Sequence, residues 1–342
     1  LEKSIEHIEH IVKKHIEQGY FPSAVCSIFN SEKTLYSKAF GYGNVNVDTV
    51  FDVASLSKII TSTEILMLIN EGKVHLKGKV SSYLPFINQF DVLKERLSDV
   101  TIEQLLTHNS GIIDWYPFYA KEGNFIEILK WVISRYPKVD GTMYSDLNFM
   151  LLGEIIKSVS NLELDEVLEK YIKKHLSIAN ITYCPLNKKN IAPTSYGNII
   201  EEEMCKERNI EFRGWRNREK VLLGEVNDGN SYYFFKGIAG HAGIFADVES
   251  YVKLCKFYMK TDNELLKSSM RDHGGGRGFG WQISETFPMG CGHSGFTGTS
   301  IWICNEKDIG AVIFTNRLHT KSETKNLNNF RKKMHKCILD IF

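Results

Sequence analysis

The sequence carries almost no net charge, because 42 basic side chains stand against 41 acidic ones and leave a formal +1. That removes the electrostatic case for nucleic acid or an anionic membrane as a partner. It also lacks a long apolar run; nothing approaches the roughly 20 residues of a transmembrane helix. No CxxC pair occurs. The seven cysteines, Cys26, Cys184, Cys205, Cys255, Cys291, Cys304 and Cys337, are scattered singly and odd in number. Free thiols in a reducing compartment are therefore expected, most of them acting as small buried hydrophobes. HExxH and Cys/His clusters of zinc spacing are missing too, so no metal is expected. There is no internal repeat. The first twenty residues, LEKSIEHIEHIVKKHIEQGY, lack the uninterrupted apolar core and small-residue cleavage site of a signal peptide. Ile5, Ile8, Ile11, Val12 and Ile16 fall instead at helical spacing, which predicts an amphipathic surface helix. A cytoplasmic location is the expectation, although a start at Leu rather than Met also fits a processed chain.

What is present is ordinary for a globular protein: 43% hydrophobic and 24% charged residues in a chain of 342. That length calls for two lobes or one large two-layer fold. SAVCSIF from Ser23, the turn NSEK and TLYSKAF from Thr34 predict a hairpin. FDVAS from Phe51 reads as the end of a strand, followed by an almost uncharged helix closed at Gly72. KVHLKGKVSSYLPF reads as loop. From Thr101 to about Leu176 the pattern is helical, and residues 185–235 are polar and irregular. Strand character returns in AGIFAD, in RGFGWQIS and in the hairpin GTSIWICNEKDIGAVIFT, with a helix near VESYVKLCKFYMK. A final helix aligns Leu327, Phe330, Met334, Ile338 and Ile341 on one face. The layout predicts an α+β fold. Residues 1–75 and 236–342 would together form an α/β domain, and residues 76–235 would form a mainly helical inserted lobe with irregular loops.

One lysine is out of place in this layout. In FDVASLSKIITSTEILML the apolar helix is interrupted only by Lys58 and Glu64. Ser55 and Lys58, at i and i+3, share a face if Ser55 starts the helix. The hydroxyl then lies at the positive end, where developing negative charge is favoured. A serine hydroxyl is a weak nucleophile until a neighbour takes its proton. A free lysine, with a pKa of about 10.4, is protonated at pH 7. Burial can lower that value by up to about 3–5 units and make it a base. Alternatively Lys58 stays cationic and a nearby tyrosine becomes the base. The pattern also occurs at Ser322-Glu-Thr-Lys325, where Ser322 reads as an N-cap before an exposed helix. The difference at Ser55 is its apolar setting, where an uncompensated charge is costly.

Two further stretches join it: GTMYSDLNFMLLGEII, with Tyr144 ahead of an amphipathic helix, and GHSGFTGTSIWICN, with His293, Ser294 and Gly295 leading into a strand. With Ser55-Leu-Ser-Lys58, Tyr144-Ser-Asp146 and His293-Ser-Gly295 in this order, the chain resembles the serine β-lactamase and penicillin-binding-protein superfamily. The resemblance is to its class C-like branch, whose motifs are S-x-x-K, Y-x-N and K-T-G or H-x-G. LLTHNSGI, GIAGHAGIFA and FTNRLH are similar as well, so the likeness runs from FPSAV to the last helix. It implies an antiparallel sheet flanked by helices beside an all-helical lobe, with the site between them. It implies an acyl-enzyme at Ser55, proton transfer through Lys58 and Tyr144, and no cofactor. Asp146, His293, Ser294, Gly295 and Phe296 would line the substrate, with the N–H groups of Ser55 and Phe296 as oxyanion donors. The expected partner is a small ester, amide or β-lactam-like molecule.

Two departures shape the expected function. Asp146 replaces Asn; ionised, it can pair with Lys58, hold it charged and favour Tyr144 as base, and it cannot donate to a substrate carbonyl. His293 stands where penicillin-binding proteins have lysine, and a neutral imidazole attracts a substrate carboxylate less than an ammonium does. An esterase or amidase is therefore expected ahead of a D-Ala-type cell-wall peptidase or weak β-lactamase. A non-catalytic scaffold is the alternative of another class, opposed by the complete set Ser55, Lys58 and Tyr144. His108 and His241 read as structural, HGGGRG at 273–278 as a flexible loop, the tryptophans as packing, and RGWRNREK at 213–220 as a solvated surface run.

Overall fold

The computed structural model describes residues 2–342. Its main sheet has five strands in the order β2-β1-β8-β7-β6, each pair antiparallel. These are β1 (Ser23–Phe29), β2 (Thr34–Gly41), β6 (Cys291–Ser294), β7 (Ser300–Cys304) and β8 (Ile309–Thr315). The expected antiparallel sheet built from both ends of the chain is present, since β1 pairs with β8 from Ala24–Thr315 to Phe29–Gly310. Its hairpin turn is held by Lys33 N–H donating to Asn30 Oδ1 at 2.8 Å. Central strands β1, β7 and β8 are buried on both faces, which explains their near-continuous apolar sequence. Alternate residues divide between two cores. Val25, Phe29, Ile301 and Phe314 pack toward the buried helix Ser57–Asn70 and the helix Val248–Lys260. Ala24, Cys26, Ile28, Trp302 and Ile313 face the helices Glu2–Glu17 and Asn328–Ile341, which bring Ile8, Phe330, Met334 and Ile338.

A second, three-stranded sheet has the order β3-β5-β4, with β3 (Phe51–Asp52), β4 (Ile181–Tyr183) and β5 (Ile244–Ala246). It holds the chain just before Ser55. Strand β4 comes from a stretch expected to be helix and loop, and it pairs with β5. Other local expectations are corrected as well. RGFGWQIS forms no strand, only single bridges from Arg277 to Gln282 and from Gln282 to Gly292. Ser322 caps no helix; the last one begins at Asn328. The run KVHLKGKVSSYLPF contains the short helix Val80–Tyr83. Residues 185–235 include the helix Ile199–Glu207. RGWRNREK is not uniformly solvated: the Arg216 side chain is buried, with its guanidinium 3.9 Å from the Tyr232 ring centre and bonded to Asn198 Oδ1 and Val226 O. All seven cysteines are free thiols. Among the described residues, no helix is long and apolar enough to cross a membrane.

Candidate active site

Helix Ser57–Asn70 is apolar on every side and is buried from Ser57 to Leu68, as a helix through a core must be. Ser55 lies just outside it, in the 3-10 turn Ala54–Leu56, rather than in its first turn. The i, i+3 spacing still brings Lys58 Nζ to 3.0 Å from Ser55 Oγ. The fully buried ammonium also donates to His241 O at 3.0 Å and meets Asp146 Oδ1 at 2.8 Å. Two of these contacts, to Ser55 and His241, are hydrogen bonds, and the third is an ion pair in which Asp146 Oδ1 completes no hydrogen bond. Burial disfavours the charge, but Asp146 and Tyr144 outweigh it and hold Lys58 above the usual lysine range.

Tyr144 lies two residues before Asp146, the first residue of helix Asp146–Ser160. A carboxylate there is also favoured by the helix dipole. The Tyr144 ring centre is 5.1 Å from Lys58 Nζ. His108 stacks beside it at 4.5 Å and accepts from Ser145 N–H through Nδ1. Burial, with Arg277 and Lys58 nearby, pushes His108 well below the ordinary imidazole range, so the ring is neutral.

The turn that holds Ser55 is strained and clamped. Ala54 has φ +48°, in the left-handed region that costs an L-residue about 1–2 kcal/mol. Asp52 fixes it: Oδ1 accepts from Ala54 N–H at 2.9 Å and Oδ2 from Asn227 N–H at 2.7 Å. Burial raises the Asp52 carboxyl to about 6 against the pull of those two bonds. From the other side, Thr297 and Thr299 donate to the carbonyls of Asp52 and Val53 at 2.7 and 3.0 Å. This contact needs Gly295, because a Cβ there would collide with Thr299 Oγ1 and the Val53 carbonyl.

His293 and Ser294 end β6, and Gly295 and Phe296 begin the turn to β7. His293 is buried, its Nδ1 donates to Ser294 O at 3.0 Å, and burial with Lys58 and Arg277 keeps it well below its usual range and neutral. Arg331 holds the carbonyls of Gly295 and Thr299, and Arg317 that of Phe296. Among the described residues, neither Ser55 nor Phe296 has a hydrogen-bond acceptor for its N–H.

Ser55, Tyr144, Asp146 and the segment 293–296 open together on one cleft of about 1100 Å³, and Lys58 lies beneath it. The structure thus brings every residue singled out from the sequence to one place. It adds others that pattern reading missed. In the sequence Asp52 and Ala54 read only as the end of a strand. His241 is a structural side chain, with Nε2 2.9 Å from Asp228 Oδ1, yet its carbonyl anchors Lys58. Arg277, from the glycine run read as flexible loop, lines the cleft. Nothing in HGGGRG marks that arginine. Among the described residues, no three His, Cys, Asp or Glu side chains are placed to hold a metal ion.

The family model described as Beta-lactamase matches residues 8–333. The N-acetylmuramyl-L-alanine amidase of Bacillus subtilis (strain 168) is 26% identical over an alignment covering 93% of this chain and 82% of that protein. The octameric penicillin-binding protein homologue from Pyrococcus abyssi superposes with a TM-score of 0.74 at 20% identity, over 98% of this chain and 77% of that one. EstCE1, described as a hydrolase with promiscuous acyltransferase activity, superposes with a TM-score of 0.74 at 16% identity over 98% of both chains. These two structures share the fold.

Proposed function

This chain belongs to the Beta-lactamase family and is a serine hydrolase, and we propose that Ser55 is its acylated nucleophile, acting without a cofactor on an ester or amide carbonyl. The observation that carries the reading is the fully buried Lys58 ammonium 3.0 Å from Ser55 Oγ. Packing alone requires no charge there, and burying one is expensive unless it is used.

In this reading Lys58 does not take the proton. Paired with Asp146 it stays an ammonium, and an ammonium has no lone pair to accept with. Tyr144 is the base. In this proposal the Tyr144 oxygen enters as the phenolate, and Ser55 Oγ attacks the carbonyl carbon as its proton passes to that oxygen. The oxyanion is met by the free N–H groups of Ser55 and Phe296, each such donor being worth about 10²–10³ in turnover. Collapse expels the alcohol or amine, which receives the proton from Tyr144. Water, deprotonated in turn by Tyr144, then releases the acyl group and restores the Ser55 hydroxyl. Neutral His293 offers a substrate carboxylate no positive charge from the third motif. That supports ester or simple amide hydrolysis ahead of β-lactam or D-alanyl peptide hydrolysis. The name of the Bacillus subtilis relative adds cell-wall amides to the substrates worth testing.

The test is a panel of p-nitrophenyl esters, a chromogenic cephalosporin and D-alanyl and muramyl amides, with a serine-directed fluorophosphonate probe, on wild type and Ser55→Ala. Probe labelling and ester turnover are expected in wild type and absent in the variant. Labelling that survives Ser55→Ala, or a folded wild type inert to probe and to every substrate, removes the assignment.

A further inference from the structure

The third motif lacks the lysine that penicillin-binding proteins place there, and the imidazole that replaces it is neutral. Helix Ser57–Asn70 brings Lys58 to Tyr144, with Nζ 5.1 Å from the ring centre. His108 lies at 4.5 Å and His293 at 6.0 Å between ring centres, both neutral. Asp146 follows in the same segment, with its carboxylate against Lys58. The loop 272–278 brings Arg277, whose guanidinium carbon is 5.0 Å from the Tyr144 ring centre.

Arg277 differs from Lys58 in one respect that matters. The Lys58 charge is offset at 2.8 Å by Asp146, whereas among the described residues Arg277 has no acidic partner within ion-pair distance and no side-chain hydrogen bond. Its loop is also well anchored. Asp272 Oδ1 accepts from the N–H groups of Gly274, Gly276 and Arg277 at 2.8–3.1 Å, and His273 N–H donates to Arg277 O at 2.8 Å. A half-buried guanidinium held in this way acts on whatever stands in front of it, and that is the Tyr144 ring.

We infer that Arg277 is a positioning residue for the proton transfer at Tyr144, supplying from the 272–278 loop the positive charge that the third motif has lost. The inference rests on the reading of Tyr144 as base. A cation beside a phenol favours the ionised oxygen, and a neighbouring charge typically moves such an equilibrium by about 1–3 pH units. Removing the charge therefore takes away support for the oxygen that receives the Ser55 proton. The acid limb of the rate profile moves to higher pH.

The experiment is the pH dependence of kcat/KM for a neutral p-nitrophenyl ester with wild type, Arg277→Gln and Arg277→Lys. Fluorophosphonate labelling of Ser55 and a melting curve are recorded for each. In Arg277→Gln the acid limb is expected to rise by about one pH unit or more. The rate at neutral pH then falls about tenfold or more and recovers at alkaline pH, with KM nearly unchanged. Arg277→Lys keeps the charge and is expected to hold the limb close to wild type, so it also serves if the glutamine variant folds poorly. A loss equal at every pH, an effect confined to KM, or no effect overturns the inference while leaving the hydrolase intact. A wild type that neither labels nor turns over defeats the hydrolase reading itself, and this inference with it.

Discussion

Lys58 Nζ and Asp146 Oδ1 lie 2.8 Å apart, the lysine fully buried and the carboxylate at the first position of its helix. Breaking a buried pair from one side leaves an uncompensated charge and costs about 3–5 kcal/mol. Asp146 retains some exposure, so Asp146→Ala is expected to destabilise toward the lower end of that range. Asp146→Asn, whose carbonyl oxygen can still accept from the ammonium, is expected to cost much less. Urea unfolding of Asp146→Ala, of Lys58→Met and of the two combined, against wild type, gives the coupling energy directly. A coupling near zero would mean that Lys58 is held by Ser55 and His241 O alone.

Asp52 is expected to matter for turnover although it touches no substrate. Its carboxyl accepts from the N–H groups of Ala54 and Asn227 and so keeps Ala54 at φ +48°. Asp52→Ala strands two donors, each costing about 1–3 kcal/mol if left unsatisfied, and frees the turn to relax. Lower stability and a fall of about tenfold or more in ester turnover are expected. Ala54→Gly in the same background should recover part of the loss, because glycine adopts positive φ without penalty. Failure of the glycine to recover either property would show that the strain at Ala54 is not what Asp52 controls.

Acid sensitivity should come from buried neutral imidazoles. His335 lies between Phe287 and Trp302, donates from Nδ1 to Thr286 O, and is pushed down to about 4 by burial. Its unfolded value is about 6.5. The native state therefore binds fewer protons than the unfolded chain between those values. Stability is complete above pH 6.5 and is lost as pH falls toward 4, by about 3 kcal/mol for this residue. His335→Gln, which can still donate to Thr286 O, should show a shallower fall in urea midpoint from pH 7 to pH 5. An unchanged slope assigns the acid loss to other groups.

Much of this architecture was legible because its signals are local. The β1–β2 hairpin, the apolar helix interrupted by Lys58 and Glu64 and the apolar stripe of the last helix all declare themselves within a short stretch of sequence. The candidate site was legible for a related reason: S-x-x-K, Y-x-D and H-x-G carry their chemistry in short motifs, and family resemblance joined them. Arg277 was not, since a glycine run looks the same whether its arginine points to water or to a tyrosine. Arg216 was misread because RGWRNREK is locally basic, and only the fold brings Tyr232 and Asn198 to it. Strand β4 has three residues, too few for any period to show. In each miss the deciding partner is distant in sequence.

The pairing of β1 with β8 sets the order in which the protein can mature. Residues 24–29 find their neighbours at 310–315, and the carbonyls ahead of Ser55 are bonded by Thr297 and Thr299, more than two hundred positions later. Such distant closures are slow, and they leave strand edges exposed while they wait. During synthesis, Ser55 and Lys58 emerge well before the wall that clamps their turn. A nascent chain stopped short of residue 297 holds Ser55 without the scaffold that clamps its turn, so the candidate site cannot form before that scaffold is made.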